Sequence, residues 1–158
     1  MILLVHHGEA VGPEVDPSRP LSGRGLGDTT RLAGEAAARG FKPDVIWHSG
    51  KLRARQTAEP ILRLCNPMAE FRMVRGLLPE DPPEWMRDEL NAETRDAVIV
   101  GHLPHIPALA RRLSPDAGEF PMNGLVAFER SGERSWTERW RANPASVPLV
   151  ALDEDGDR

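Results

Sequence analysis

Short apolar runs alternate with amphipathic segments through the first two thirds of the chain. Ile2-Leu3-Leu4-Val5 is branched and apolar and stops at His6-His7-Gly8, the pattern of a buried strand delivering its last side chains to a sheet edge. A polar, proline-bearing loop follows over residues 8–20. Ser22 is placed to cap a helix running to about Arg39, with Leu26, Thr30, Ala33, Ala36 and Ala37 on one side and Gly40 as its stop. Residues 44–48 read as a second strand ending at His48 and the turn Ser49-Gly50, and residues 52 to about 64 as a second helix. Residues 70–74 are a candidate third strand, and Glu80-Asp81-Pro82-Pro83 is a turn leading into a helix over residues 85–90. Residues 96–102 form the clearest buried strand. A helix from Pro104 or His105 to Leu113 follows, in which Pro107 is tolerable only near the first turn.

The last third changes character. Residues 124–129 and 136–140 flank Arg130-Ser131-Gly132-Glu133-Arg134, the signature of a hairpin with a glycine-bearing turn. Residues 153–158 are polar and read as a disordered tail beyond one domain covering residues 1–152. Strand–helix alternation predicts an α/β fold: three layers, α/β/α, around a mostly parallel sheet covered on both faces, with an antiparallel C-terminal hairpin.

Composition narrows the function. The chain has 158 residues, 40% hydrophobic and 28% charged, which suits an ordinary soluble globular protein with its own core. A net charge of -4 gives no basic excess for a duplex, so nucleic acid is not the expected partner. A small phosphorylated group in a local basic pocket is still compatible. Cys65 is the only cysteine, so no intrachain disulfide forms and a reducing cytoplasm fits best. No stretch approaches a membrane span, and the first residues lack a basic segment ahead of an apolar one, so no membrane partner is expected.

Histidine placement carries the chemistry. His6 and His7, His48, and His102 each close a predicted strand, and His105 lies one turn beyond the last. Parallel strands put their carboxyl ends on one rim, where open α/β sheets bind ligands. A lone histidine at a strand end is usually a hydrogen-bonded polar residue; several at one topological position suggest a shared site. Metal binding would need convergent ligands, and no His-Glu-x-x-His, cysteine pair or His-x-His is present, so no metal or other cofactor is expected. Phosphoryl transfer through histidine needs arginines beside the imidazoles. Arg53 and Arg55 open the helix after the second strand, where an anion meets a helix N-terminus.

At this point the residues resemble a family. Val5-His6-His7-Gly8-Glu9-Ala10, Arg19-Pro20-Leu21-Ser22-x-x-Gly25, Ser49-x-x-Leu52-Arg53-Ala54-x-Gln56-Thr57 and Val100-Gly101-His102-Leu103-Pro104 are similar in order and spacing to the histidine phosphatase superfamily, and the Arg-Pro-Leu-Ser element to its small SixA-like phosphohistidine phosphatases. The resemblance covers roughly residues 2–113. It implies a phosphoglycerate-mutase-like fold and metal-free hydrolysis of a phosphoramidate or phosphomonoester through a phosphohistidine. The implied roles are His7 as nucleophile, Gly8 as a point of close backbone approach to phosphate, Arg53 as a clamp on phosphoryl oxygens, and His102 as a donor to them. The implied substrate is a phosphorylated molecule, with a histidine-phosphorylated signalling protein foremost.

One departure matters. The family pattern has arginine where this chain has His6, which replaces a permanently charged fork by a group that titrates near about 6.5. Loss of charge on His6 would then weaken the phosphate grip as pH rises. Arg19 and Lys51 are the cations placed to compensate, with Ser49 beside them as a further binding residue. The alternatives to a protein phosphohistidine substrate are a small phosphorylated metabolite and a non-catalytic phosphate-binding module. Glu80 is the candidate general acid for an alcohol leaving group. Glu9 is expected to order its loop, with Arg19 as its partner, and His105 to lie at the helix start or rim, within reach of substrate.

Overall fold

A computed structural model describes residues 1–149. The expected tail at 153–158 lies outside the described residues. The elements run β1 (Ile2–His6), α1 (Gly23–Ala38), β2 (Val45–His48), α2 (Leu52–Cys65), β3 (Glu70–Met73), α3 (Pro83–Ala92), β4 (Ala97–Gly101), α4 (His105–Leu113), β5 (Leu125–Gly132) and β6 (Ser135–Ala142). They form one sheet in the order β3-β2-β4-β1-β5-β6. The β1–β4, β4–β2 and β2–β3 pairings are parallel, whereas β5 pairs antiparallel to β1 and to β6. This is the expected three-layer α/β/α arrangement with an antiparallel hairpin.

The apolar strands are explained by burial on both faces. Side chains alternate across a strand, so a strand covered on both sides must be apolar throughout. Ile2, Leu4, Val45, Trp47, Ile99, Val126 and Phe128 pack with Met86 and Leu90 of α3 and Ile106, Leu109 and Leu113 of α4. Leu3, Val5, Ile46, Val98, Val100, Leu125 and Ala127 pack with Leu32, Ala33 and Ala36 of α1 and Ala54, Ala58 and Ile61 of α2. Ser22 caps α1 as expected, its hydroxyl accepting from the Gly25 N–H at 3.0 Å. Gly40 follows with φ +78°, the left-handed stop that glycine adopts without a Cβ clash. Arg31 of α1 fastens the C-terminal segment, donating to the Pro144 and Val147 carbonyls. No helix among the described residues is long and apolar enough to cross a membrane.

Boundaries differ from expectation in several places. β3 ends at Met73 rather than 74. α3 starts at Pro83, because proline's fixed φ suits the first helical position, and continues to Ala92. The hairpin strands extend to Gly132 and Ser135, leaving a turn of only Glu133-Arg134; beyond the covered part of the sheet these strands are polar, so hydrophobic pattern underestimates them. α2 also runs through Pro60, where one helix hydrogen bond is missing.

Candidate active site

Strand register decides which side chains meet. His6 pairs with Gly101 and His48 with Val100, so His7, His102 and Ser49 leave the sheet together at the carboxyl rim of β1, β4 and β2. The His7 ring lies 5.0 Å from that of His102 and 4.6 Å from that of His6, centroid to centroid. Ser49 Oγ and His102 Nε2 share a buried hydrogen bond of 2.6 Å.

His7 holds the distinctive nitrogen. Its Nδ1 is 2.8 Å from the Gly8 carbonyl, which can only accept, so in the neutral ring Nδ1 carries the proton and Nε2 keeps its lone pair. Burial holds the His7 pKa below the ordinary histidine value; the Gly8 bond opposes this, and Arg53 and Arg19 add to the depression. Gly8 is fixed in turn: its N–H donates to Thr57 Oγ1 at 3.0 Å, and that hydroxyl donates to the Arg53 carbonyl at 2.7 Å. A Cβ on Gly8 would stand 2.6 Å from Thr29 Oγ1, so only glycine fits between β1 and α1 without displacing that side chain.

The cations come from a helix start and a loop. Arg53, in the first turn of α2, is half-buried, and its Nε is sealed from solvent without a partner. Arg19 donates through Nε to the Val11 carbonyl at 3.0 Å and holds φ at +48°, a costly conformation for a non-glycine residue. Neither arginine is in an ion pair among the described residues. Burial, and then the Arg19 charge, lowers the Arg53 pKa. Two neighbouring guanidiniums with no carboxylate between them are an arrangement that an anion stabilises.

His102 is neutral: burial first, then His7, Arg53, His6 and Lys51, push its pKa down to about 3. Its Nδ1 is buried without a partner. Lys51 is exposed at the N-cap of α2, where its N–H donates to Ser49 Oγ at 3.3 Å. His6 departs from the expectation of a cation that titrates near neutrality. Burial and His7 lower its pKa to about 4, and the Asn123 N–H donates to its Nδ1 at 2.8 Å, a bond that requires that nitrogen to be unprotonated.

The geometry revises some expected contacts and leaves others unmade. Glu9 accepts from the Ser22 hydroxyl at 3.0 Å instead of pairing with Arg19. His105 is 1% exposed and faces the side of Asp81 and Glu84, beneath the rim rather than within reach of substrate, because it is the first residue of α4 and turns into the core. His48 Nδ1 accepts from the Gly50 N–H at 3.1 Å and orders that turn. Glu80 is exposed in the loop before α3 and has neither a hydrogen bond nor an ion pair to the histidines. Asn123, absent from the sequence expectations, joins the site: its side-chain amide donates to the His7 carbonyl at 2.8 Å, and its φ of +53° is one that asparagine tolerates better than most residues. The Asn123-Gly124 pair is legible as a turn, but not as part of a site.

Two cavities lie elsewhere. One of about 970 Å³ is lined by Arg87, Asn91, Arg112, Arg130 and Arg134 at the opposite rim, and one of about 350 Å³ by Trp47, Arg72 and Met86 beside β3. Neither is lined by the histidines of the rim. Among the described residues no three histidine, cysteine, aspartate or glutamate side chains converge as a metal-holding group.

Comparison with solved structures places this geometry in a known fold. The chain superposes on the protein histidine phosphatase SixA complexed with tungstate at a TM-score of 0.83 and 21% identity, covering 91% of this chain and 97% of that one. A protein from Agrobacterium tumefaciens that carries the SixA phosphohistidine phosphatase designation gives 0.76 at 21% identity, covering 90% and 97%. Phosphoserine phosphatase from Entamoeba histolytica, in complex with 3-phosphoglyceric acid, gives 0.66 at 14% identity, covering 89% and 95%. No family model and no curated protein matches the sequence. At these identities the likeness establishes the histidine-phosphatase fold.

Proposed function

We propose that this protein is a metal-independent phosphatase of the histidine-phosphatase kind, working through a phosphohistidine on His7. The observation that carries the reading is the His7 Nδ1 bond to the Gly8 carbonyl, which frees Nε2 beside two guanidiniums lacking carboxylate partners. The Nε2 lone pair attacks phosphorus in line, and the bond to the leaving group breaks with its electron pair. Water then attacks the phosphorus and the P–Nε2 bond breaks, releasing inorganic phosphate and neutral His7. Arg53 and Arg19 hold the phosphoryl oxygens, with Ser49, Lys51 and His102 at the same rim as further donors.

Protein phosphohistidine is the substrate we favour, on a histidine-phosphorylated signalling protein in the cytoplasm. Two features support it: His7 is half-buried at the strand rim, and SixA is among the structures similar to this one. A phosphoramidate also suits a site without a carboxylate at the histidines, since a leaving imidazole can depart already protonated. Esters need a proton donor, and we assign that role to Glu80. Hydrolysis of a phosphohistidine peptide and of a phosphoserine peptide, by wild type and Glu80→Gln, tests this. The phosphohistidine peptide is expected to be the better substrate, and Glu80→Gln to slow only the ester, by up to about 10²-fold. Preference for small phosphorylated metabolites would favour that alternative; binding of both peptides without turnover would favour a phosphate-binding module.

A further inference from the structure

His6 occupies an unusual position for an imidazole. The Asn123 main-chain N–H donates to its Nδ1 at 2.8 Å, and a nitrogen that accepts cannot also carry a proton. Protonating His6 would set N–H against N–H and break this bond. The proton of the neutral ring therefore sits on Nε2, in a ring whose centroid lies 4.6 Å from that of His7. This Nε2 has no protein partner among the described residues, yet it is not sealed in the way His102 Nδ1 is. The groups around His6 oppose a positive charge. His7 faces it after β1 and His102 after β4, with Arg53 and Lys51 at the start of α2 acting on His102 in the same direction. None of them is a carboxylate. Asn123 is itself held by its left-handed backbone and by its amide bond to the His7 carbonyl, so one residue orders both histidines.

We infer that His6 serves the phosphoryl site as a neutral Nε2–H donor, locked in that tautomer by Asn123, and is not a titrating substitute for an arginine. The inference rests on the proposed phosphoryl site and adds a property to it: the contribution of His6 to anion binding stays constant across the pH range in which an ordinary histidine loses its charge. A consequence follows for the residue itself. Glutamine can replace both functions, accepting from the Asn123 N–H and donating from its amide. Arginine supplies charge but no acceptor, and strands that N–H.

Sulfate is a suitable probe because it remains a dianion from pH 5 to 8. Its dissociation constant is measured over that range for wild type, His6→Gln and Arg53→Ala, and the ring nitrogens of His6 are assigned by ¹⁵N NMR in the wild type. The inference predicts an affinity ratio between wild type and His6→Gln that is flat with pH, together with a protonated Nε2 and a bare Nδ1 at pH 7. It also predicts that His6→Arg melts below His6→Gln. A ratio that grows about tenfold in favour of wild type as pH falls from 8 to 5 would mean that His6 binds as a cation, and would overturn the inference. So would the opposite tautomer, or a His6→Arg that melts above His6→Gln. Sulfate bound equally well by Arg53→Ala, or not bound by wild type at all, would instead remove the anion site on which both readings depend.

Discussion

Three adjacent imidazoles at one rim stay neutral for reasons that differ residue by residue, and the differences fit the roles proposed for them. His7 gives its Nδ1 proton to a carbonyl and keeps Nε2 free; His6 accepts on Nδ1; His102 shares Nε2 with Ser49. Attack needs His7 unprotonated, and its pKa lies below the ordinary histidine value, so activity falls only as pH drops through that depressed value. A pH–rate profile is expected to stay level from about pH 8 down past 6.5, where an unperturbed imidazole would already be half protonated. An acidic limb centred at or above 6.5 would contradict this. Replacing Arg53 by lysine keeps the charge but loses the fork, and is expected to lower kcat by about 10²-fold. The residues expected from sequence as nucleophile and clamp, His7 and Arg53, are brought to one rim with His102, because strand ends and a helix start are legible locally. Asn123 was not legible: its effect on His6 passes through a main-chain N–H that any residue but proline supplies. The neutrality of His6 depends on burial that only the assembled fold produces.

At the scale of elements, the site is held by close contacts between a loop and two helices. Gly25 of α1 faces the Glu9 carbonyl so closely that any Cβ would collide with it. Gly25→Ala is expected to cost about 1–3 kcal/mol in chemical denaturation, since backbone rather than a flexible side chain must yield. An unchanged denaturation midpoint would show that the loop gives way freely. The strand ends also carry a linked acid sensitivity. His6 and His102 have folded pKa values of about 4 and about 3, against about 6.5 in an unfolded chain. The unfolded state takes up protons first, so their contribution is complete above pH 6.5 and is lost as pH falls toward 4. The melting temperature is expected to fall by at least about 4 °C between pH 7.5 and 5, and by less in His6→Gln. Equal losses in the two proteins would exonerate His6. Element boundaries were readable wherever both faces are buried. The hairpin strands run further than the pattern shows, because their distal halves are mostly polar and exposed and carry little hydrophobic signal.

At the scale of the whole molecule, the sheet order brings distant segments to one place. β4 lies between β1 and β2, so a histidine near the start of the chain meets one about a hundred residues later. That layering could be anticipated, because runs apolar throughout require a parallel sheet covered on both faces. The register could not, since it depends on how those faces interlock; a slip of one residue would turn His7 away from His102. On the proposed reading, this convergence makes a covalent catalyst. The decisive experiment mixes the protein with a phosphohistidine-bearing peptide, quenches in base and locates phosphate by mass spectrometry. An acid-labile, base-stable phosphate is expected on His7, and none in His7→Ala. Phosphate on His6, or turnover by His7→Ala at the wild-type rate, would contradict it.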